Sequence, residues 1–187
     1  FFMFLAGMNF VLSYYAFTRK FQKIIRDEEF KVYFSFILIF TVLTTLIVLN
    51  KEQYSLVQGI ALVSQVESIF RDALFQVVSV ITTTGFVSTD FTLWTPFLTI
   101  VFFGLMFLGG SSGSTSGGVK VVRHLLMIKG GFLEFKRALH PNAIIQARYN
   151  KKIVGDSISY NILGFFILYM LSFIIGALGF GLLDIDF

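Results

Sequence analysis

Long uncharged apolar stretches dominate this chain. Four of them, residues 1–18, 32–49, 91–119 and 157–183, contain no Asp, Glu, Lys or Arg. A helix needs roughly 20 residues to cross the hydrocarbon of a bilayer, and a single charge at mid-membrane costs about 3 kcal/mol. The pattern therefore predicts four spanning segments in an all-α polytopic membrane protein.

A fifth uncharged stretch, residues 73–89, is too short and too polar at its end to cross a bilayer. Its apolar part gives way to a run of threonines and a glycine, Thr82 to Gly85. Ser64 and Glu67 have the spacing of a capping box, which predicts a helix that begins at Ser64 and ends near Thr82. We interpret the stretch as a re-entrant segment, whose non-helical backbone must be buried in protein or line a water-filled cavity. The alternative is an amphipathic surface helix.

The distribution of basic residues supports this topology. All Lys and Arg residues except Lys51 and Arg71 lie in two segments, 18–31 and 119–152. These two segments fall on the same side of the membrane only if the fifth stretch does not cross it. The positive-inside rule then makes their side cytoplasmic.

Composition agrees with a membrane protein and excludes several functions. Hydrophobic residues make up 56% of the 187 residues, charged residues only 14%, and 25 residues are Phe. A sequence pI of about 9.4 is compatible with nucleic-acid binding, but the basic residues lie at the ends of apolar runs and not on a soluble face. The chain has no cysteine, and no pairing of a nucleophile with a base and no metal-ligand spacing is evident. We expect no enzyme activity and no cofactor.

The threonine-rich segment has the composition of a potassium filter. A potassium ion exchanges its water shell for oxygen atoms, and a row of backbone carbonyls supplies these without burying carboxylates. Glycine permits the dihedral angles that turn carbonyls toward an ion, and threonine hydroxyls add oxygens. The predicted filter consists of Thr82, Thr83, Thr84, Gly85 and Phe86, with potassium bound at Thr83, Thr84 and Gly85.

A second segment interrupts the third spanning stretch with small residues only. It comprises Gly109, Gly110, Ser111, Ser112, Gly113, Ser114, Thr115, Ser116, Gly117 and Gly118. A flexible polar break below the filter could obstruct the permeation path and move aside, which we interpret as a gating loop. The alternative is close helix packing through small residues. A phosphate-binding loop is excluded because Lys120 is followed by Val121 and not by Ser or Thr.

Two further points follow from the second segment. Lys120, Arg123 and Lys129 follow it at close to helical spacing, and we expect these basic residues to meet lipid headgroups at the end of an inner helix. The alternative is a pore-lining or partner-binding role. A broken helix can also bind substrate in an alternating-access secondary cation transporter, which remains the alternative function.

The two motifs together resemble a known family. They are Thr-Thr-Thr-Gly-Phe followed by Asp90, Phe91 and Trp94, and the continuous run from Phe107 to Arg123. The chain resembles the Trk/Ktr/HKT superfamily of potassium transporters, and most closely its bacterial TrkH branch. Relatives often have Cys or Ala where this chain has Ser111 and Ser112.

The resemblance implies potassium uptake through a channel-like pore built from four helix–pore loop–helix repeats, in a bacterial inner membrane. It also implies a homodimer and a cytoplasmic nucleotide-binding regulatory ring as partners, with segment 129–152 as a candidate contact for the ring or for anionic lipid. We expect this chain to be a fragment centred on the third repeat, so that Thr82 to Phe86 form one quarter of the filter. The resemblance implies that residues 1–18 are the end of the second helix of repeat two and that residues 157–183 are the first helix of repeat four. Repeat three would be residues 32–129, with its first helix at 32–50, its pore helix and filter at 64–87 and its broken second helix at 91–129. The remaining segments, 19–31 and 130–156, would be cytoplasmic loops.

Overall fold

The computed structural model describes residues 1–51, 62–140, 146–150 and 152–182. These residues form two compact units, Phe1–Val122 and Arg123–Phe187. In chain order the helices are α1 (Phe2–Ala6), α2 (Phe10–Phe17), α3 (Phe21–Arg26), α4 (Glu28–Asn50), α5 (Leu62–Ile81), a 3-10 turn (Phe91–Leu93), α6 (Pro96–Leu105), α7 (Val121–Leu139) and α8 (Asp156–Leu182). Between α7 and α8, strand β1 (Arg148–Tyr149) pairs antiparallel with β2 (Lys152–Ile153).

Two helices in the described residues are long and apolar enough to cross a membrane. They are Glu28–Asn50 and Tyr160–Leu182, which agree with two of the predicted spanning stretches. Helix α4 begins where the Asp27 carboxylate accepts a hydrogen bond from the Phe30 amide at 2.9 Å, with Glu28 and Glu29 in the first turn. The prediction of a helix at 32–50 is thus confirmed, with an earlier start.

The stretch 1–18 is not the continuous helix that its apolar sequence predicted. It breaks between α1 and α2 at Gly7–Asn9, where Asn9 caps α2 by accepting a hydrogen bond from the Val11 amide at 2.8 Å. The side chain of a capping asparagine accepts a backbone hydrogen bond and so competes with the continuous helix. A hydropathy pattern does not show this break, because the residues around Asn9 are apolar.

Three predicted boundaries are also wrong. The segment 19–31 is not a loop throughout, because it contains α3 and the start of α4. Ser64 is not a helix cap, since α5 already includes Leu62. Helix α7 does not end at Lys129 but passes through Gly130 and Gly131 to Leu139, so it takes up the first part of the predicted loop 130–156. A glycine inside a helix costs only about 1 kcal/mol, which an otherwise helical sequence tolerates.

Parts of the predicted loop 130–156, namely 141–145 and 151, lie outside the described residues, as does Leu183 of the last predicted span.

The core of the first unit is formed where α4, α5 and α6 pack together. Its buried residues include Tyr33, Ile37 and Val48 of α4, Val77 and Ile81 of α5, and Leu98 and Phe102 of α6. At one end, the Lys51 ammonium donates hydrogen bonds to the Leu93 carbonyl at 3.0 Å and to the Trp94 carbonyl. Phe102 stacks on Phe91, with ring centroids 4.9 Å apart. These contacts hold the end of the connection between α5 and α6 that lies next to α6.

Helix α8 belongs to the second unit and is apolar on all sides. Its large side chains, among them Leu168, Ile175 and Leu178, are exposed in this chain. A helix that is hydrophobic all round must lie in a membrane or in the interior of a larger protein.

Candidate ion pathway

The threonine run begins where α5 ends. The Thr82 amide and hydroxyl both donate to the Val78 carbonyl, at 2.9 and 2.7 Å. The chain then leaves the helix with two residues of positive φ, Thr83 at 53° and Gly85 at 76°. Positive φ is costly for a β-branched residue, and such strain persists only where surrounding contacts enforce it. Surrounding contacts must therefore stabilise the turn that leads from the helix into the extended chain.

Helix α5 supplies the contacts that hold this turn. The Ser79 carbonyl accepts hydrogen bonds from the Thr84 amide at 2.9 Å and the Gly85 amide at 3.4 Å, and the Ser79 hydroxyl donates to the Phe86 carbonyl at 2.6 Å. One turn earlier, the Gln76 side-chain amide donates to the Thr89 carbonyl. Both side chains are buried. Sequence reasoning missed them, although Gln76, Ser79 and Thr82 recur every three residues, which places them close together on one side of an apolar helix.

The five predicted filter residues differ in their surroundings. Thr82 is buried, whereas Thr83, Thr84, Gly85 and Phe86 are exposed in this chain. The Phe86 carbonyl is bonded to Ser79, but within the described residues the carbonyls of Thr83, Thr84 and Gly85 accept no hydrogen bond. These three carbonyls retain both lone pairs for a ligand.

The glycine-rich run forms an ordered loop between α6 and α7. Its two ends meet in a parallel bridge between Leu108 and Val119, with a hydrogen bond of 2.9 Å from the Gly109 amide to the Val119 carbonyl. Within the loop, the Ser116 hydroxyl oxygen accepts a hydrogen bond from the Gly110 amide at 2.7 Å. The helical part before the loop already ends at Leu105, four residues ahead of Gly109. The predicted interruption of this span is thus confirmed, with an earlier start.

The loop rests on the break between α1 and α2. The Ser111 amide donates to the Gly7 carbonyl at 2.8 Å, the Thr115 amide donates to the Ala6 carbonyl at 3.2 Å, and the Phe10 amide donates to the Gly113 carbonyl at 3.2 Å. The backbones approach so closely that a Cβ on Gly110 would lie 2.6 Å from the Gly7 carbonyl oxygen. The small residues therefore allow the glycine-rich loop to pack closely against the α1–α2 break. This differs from the predicted alternative, in which small residues pack one helix against another.

The break at Gly7 also contacts the base of the threonine run. A Cβ on Gly7 would lie 2.6 Å from the Thr82 methyl carbon and 2.5 Å from the Tyr33 hydroxyl oxygen. The Tyr33 hydroxyl donates to the Phe4 carbonyl at 3.1 Å. Segments from α1, α4, α5 and the glycine-rich loop thus converge on one point.

Two charged side chains bind the glycine-rich loop, and both were missed as loop contacts by sequence reasoning. Glu29 in the first turn of α4 is only 2% exposed, and its carboxylate accepts a hydrogen bond from the Ser112 amide. The Lys120 ammonium donates to oxygens of Ser114 and Ser116, whereas its predicted contact with lipid headgroups stays a prediction. A buried charge is tolerated only where it is paired or hydrogen-bonded, and the loop amide meets that requirement for Glu29. The signal was a charge beside an apolar run, which by itself also fits a membrane interface.

The glycine-rich loop touches the threonine run directly. The Gly117 amide donates to the Thr83 hydroxyl oxygen at 2.6 Å. This hydrogen bond joins the exposed end of α5 to the loop that interrupts the next span. The two predicted functional segments are therefore in direct contact.

We predict that Thr83→Val raises cation flux about fivefold. Valine keeps the shape of threonine but removes the acceptor for the Gly117 amide, a loss of about 1 kcal/mol that frees the loop. Thr83→Ser, which keeps the hydroxyl, is the matched control and should stay near the wild-type rate. Rubidium influx into liposomes containing the full-length protein measures both variants. Equal rates for valine and serine would show that this hydrogen bond does not restrain the loop.

A carboxylate lies on the connection after the threonine run. Asp90 is exposed, and its Oδ1 accepts hydrogen bonds from the Thr92 hydroxyl at 2.6 Å and the Thr92 amide at 2.9 Å. These bonds hold the pKa of the Asp90 carboxyl below its usual value. The carboxylate is therefore ionised at neutral pH, four positions after Phe86 in the chain.

This geometry defines a class of protein. It consists of a membrane-length helix, a second helix that ends in a turn with carbonyls free of other hydrogen bonds, and a broken third helix whose loop contacts that turn. Together these elements form a helix–pore loop–helix unit of a polytopic membrane protein. Comparisons with known proteins agree. The family model TrkH, described as a cation transport protein, matches residues 1–180. The chain belongs to this family.

Individual relatives support the same assignment. The chain is 33% identical over 179 residues to the Trk system potassium uptake protein TrkH of Halomonas elongata and 33% identical over 178 residues to that of Escherichia coli K12, in each case covering 95% of this chain and 35% of the relative. The crystal structure of the potassium transporter TrkH from Vibrio parahaemolyticus matches with a TM-score of 0.85 and 30% identity, covering 99% of this chain and 38% of that one. The resemblance and the fold predicted from the two motifs are thus confirmed. The chain spans about a third of the length of these relatives.

Proposed function

We propose that the protein containing this chain takes up potassium ions across a bacterial inner membrane through a channel-like pore. In this proposal Thr82 to Phe86 form one quarter of the selectivity filter, and potassium binds at Thr83, Thr84 and Gly85. The run Gly109 to Gly118 is an intramembrane gating loop. Potassium is the transported substrate, and the function requires no cofactor.

One observation carries the proposal. The Thr83 hydroxyl, in the filter segment, is hydrogen-bonded to the Gly117 amide of the glycine-rich loop at 2.6 Å. Within the described residues the carbonyls of Thr83, Thr84 and Gly85 accept no hydrogen bond, and the loop itself is held by backbone hydrogen bonds. A binding segment in direct contact with a displaceable barrier is what a gated pore requires.

The potassium uptake named for the relatives supports the choice of ion. Their bacterial origin supports a location in the inner membrane, with membrane lipid around α4 and α8. We further propose that the protein is a homodimer and binds a cytoplasmic nucleotide-binding ring. Helix α7 and the hairpin after it are candidates for that contact, because they carry Lys129, Lys136, Arg137, Arg148 and Lys152.

Reconstitution of the full-length protein tests the proposed function. We expect potassium-loaded liposomes that contain the protein to take up external rubidium, driven by the outward potassium gradient. External potassium should inhibit this rubidium uptake more strongly than external sodium does. Uptake should be passive and should need no second ion. Flux that depends on a fixed ratio to a coupled ion would favour the alternating-access alternative, and liposomes that take up no more rubidium than protein-free ones would reject transport altogether.

A further inference from the structure

A single side chain places a positive charge inside the glycine-rich loop. The Lys120 ammonium donates to the Ser114 carbonyl at 3.2 Å, to the Ser114 hydroxyl at 3.3 Å and to the Ser116 hydroxyl at 3.3 Å. It also donates to the Ser116 carbonyl. The ammonium is thus surrounded by two backbone carbonyls and two hydroxyls from residues four to six positions earlier in the chain.

These oxygens belong to the donor class that binds potassium. Filters strip the water shell of a potassium ion and replace it with backbone carbonyls, to which threonine hydroxyls can add. A lysine ammonium is a compact point charge with three donors on a flexible stem. It therefore meets the same oxygens that a monovalent cation would meet in its place.

The ammonium is connected to the filter segment through a short chain of contacts. Ser116 binds Lys120 through both of its oxygens, and its hydroxyl oxygen also accepts the Gly110 amide at 2.7 Å. The next residue, Gly117, donates to Thr83 at 2.6 Å. Lys120 thus holds the part of the loop that contacts the filter.

We propose that Lys120 is a tethered cation that closes the glycine-rich loop. Its ammonium occupies oxygens that a permeating potassium ion would otherwise bind, cross-links Ser114 to Ser116, and opposes entry of a second positive charge. Opening requires the ammonium to leave, and a potassium ion then takes its place on the loop oxygens. The inference rests on the proposed function, because it assigns a role only within a cation pathway.

Charge and packing can be separated with three variants of the full-length protein in liposomes. Lys120→Met keeps an unbranched stem and removes the charge, Lys120→Arg keeps the charge on a different head group, and Lys31→Met, at an exposed position of α4, is the matched control. We expect Lys120→Met to raise rubidium influx at least tenfold, Lys120→Arg to remain within about threefold of wild type, and Lys31→Met to leave it unchanged. Tenfold corresponds to about 1.4 kcal/mol in the opening equilibrium.

Each result is decisive. Equal increases for Lys120→Met and Lys120→Arg would show that the loop only needs a well-packed side chain, which overturns the tethered-cation role. No increase for Lys120→Met would show that Lys120 does not hold the loop closed. If Lys120→Met does not fold, Lys120→Gln takes its place with the same expectation. A wild-type protein that conducts no rubidium would instead reject the proposed function, so the two failures are distinguishable.

Discussion

Replacing Gly85 by alanine will reduce potassium and rubidium influx at least tenfold. Gly85 has a φ of 76°, in the left-handed region that costs an L-residue with a Cβ about 1 to 2 kcal/mol. Among the described residues nothing lies within 4 Å of where its Cβ would be, so the penalty comes from backbone conformation and not from a clash. Alanine will pull the backbone toward negative φ and turn the carbonyls of Thr84 and Gly85 away from their present directions.

Two further variants test whether conformation is the cause. Gly85→Asn should retain more flux than Gly85→Ala despite its larger side chain, because asparagine tolerates positive φ. Gly104→Ala is the matched control, since Gly104 lies in α6 with equally open space around it and an ordinary φ. Rubidium influx and competition by sodium measure all three. A Gly85→Ala protein with wild-type flux and wild-type selectivity would remove this segment from the filter.

The membrane helices were predictable because the cost of a buried charge is visible in a linear sequence. The absence of charge over 32–49 and 157–183 predicted α4 and α8 to within a few residues. The end of α5 was predictable as well, since a threonine run followed by glycine at position 85 ends an apolar helix. These features depend on local composition, which a sequence displays directly.

The break in the first stretch depends on contacts that a sequence does not display. The helix stops at Gly7 because its carbonyl and that of Ala6 accept hydrogen bonds from Ser111 and Thr115, more than 100 positions away. Likewise, Glu29 adjoins basic residues in sequence and reads as charge balance, but in the fold it binds the Ser112 amide. Partners so distant in the chain replace the helical hydrogen bonds only after folding, so neither hydropathy nor capping rules could reveal them.

The glycine-rich loop is the point on which these distant contacts converge. It is bonded to the α1–α2 break, to Glu29 at the start of α4, to Lys120 before α7, and to Thr83 of the predicted filter segment. Each bond contributes about 1 kcal/mol, somewhat more where a charge takes part. Movement of any of these segments would therefore change how firmly the loop is held against the threonine run.

Deleting Ser112 to Thr115 will raise cation flux roughly 10- to 100-fold. The deletion removes the hydrogen bonds from Phe10 to Gly113, from Thr115 to Ala6, from Ser112 to Glu29 and from Lys120 to Ser114, among others. A net loss of about 1.4 to 2.8 kcal/mol, after new contacts of the shortened loop offset part of these bonds, corresponds to the 10- to 100-fold range. The bridge between Leu108 and Val119 lies outside the deleted residues, so α6 and α7 remain connected as before.

The control keeps the length of the loop. A variant with Ser112, Ser114 and Thr115 all replaced by glycine retains the backbone donors and acceptors that dock the loop on the α1–α2 break, so it should increase flux far less than the deletion. Rubidium influx into liposomes, alongside the melting temperature of each purified protein, compares the two. A deletion variant that melts like wild type but shows unchanged or reduced influx would contradict a barrier, because a loop that does not obstruct the pathway cannot increase flux by being shortened. An equal increase in both variants would instead assign the obstruction to the side chains and not to the length of the loop.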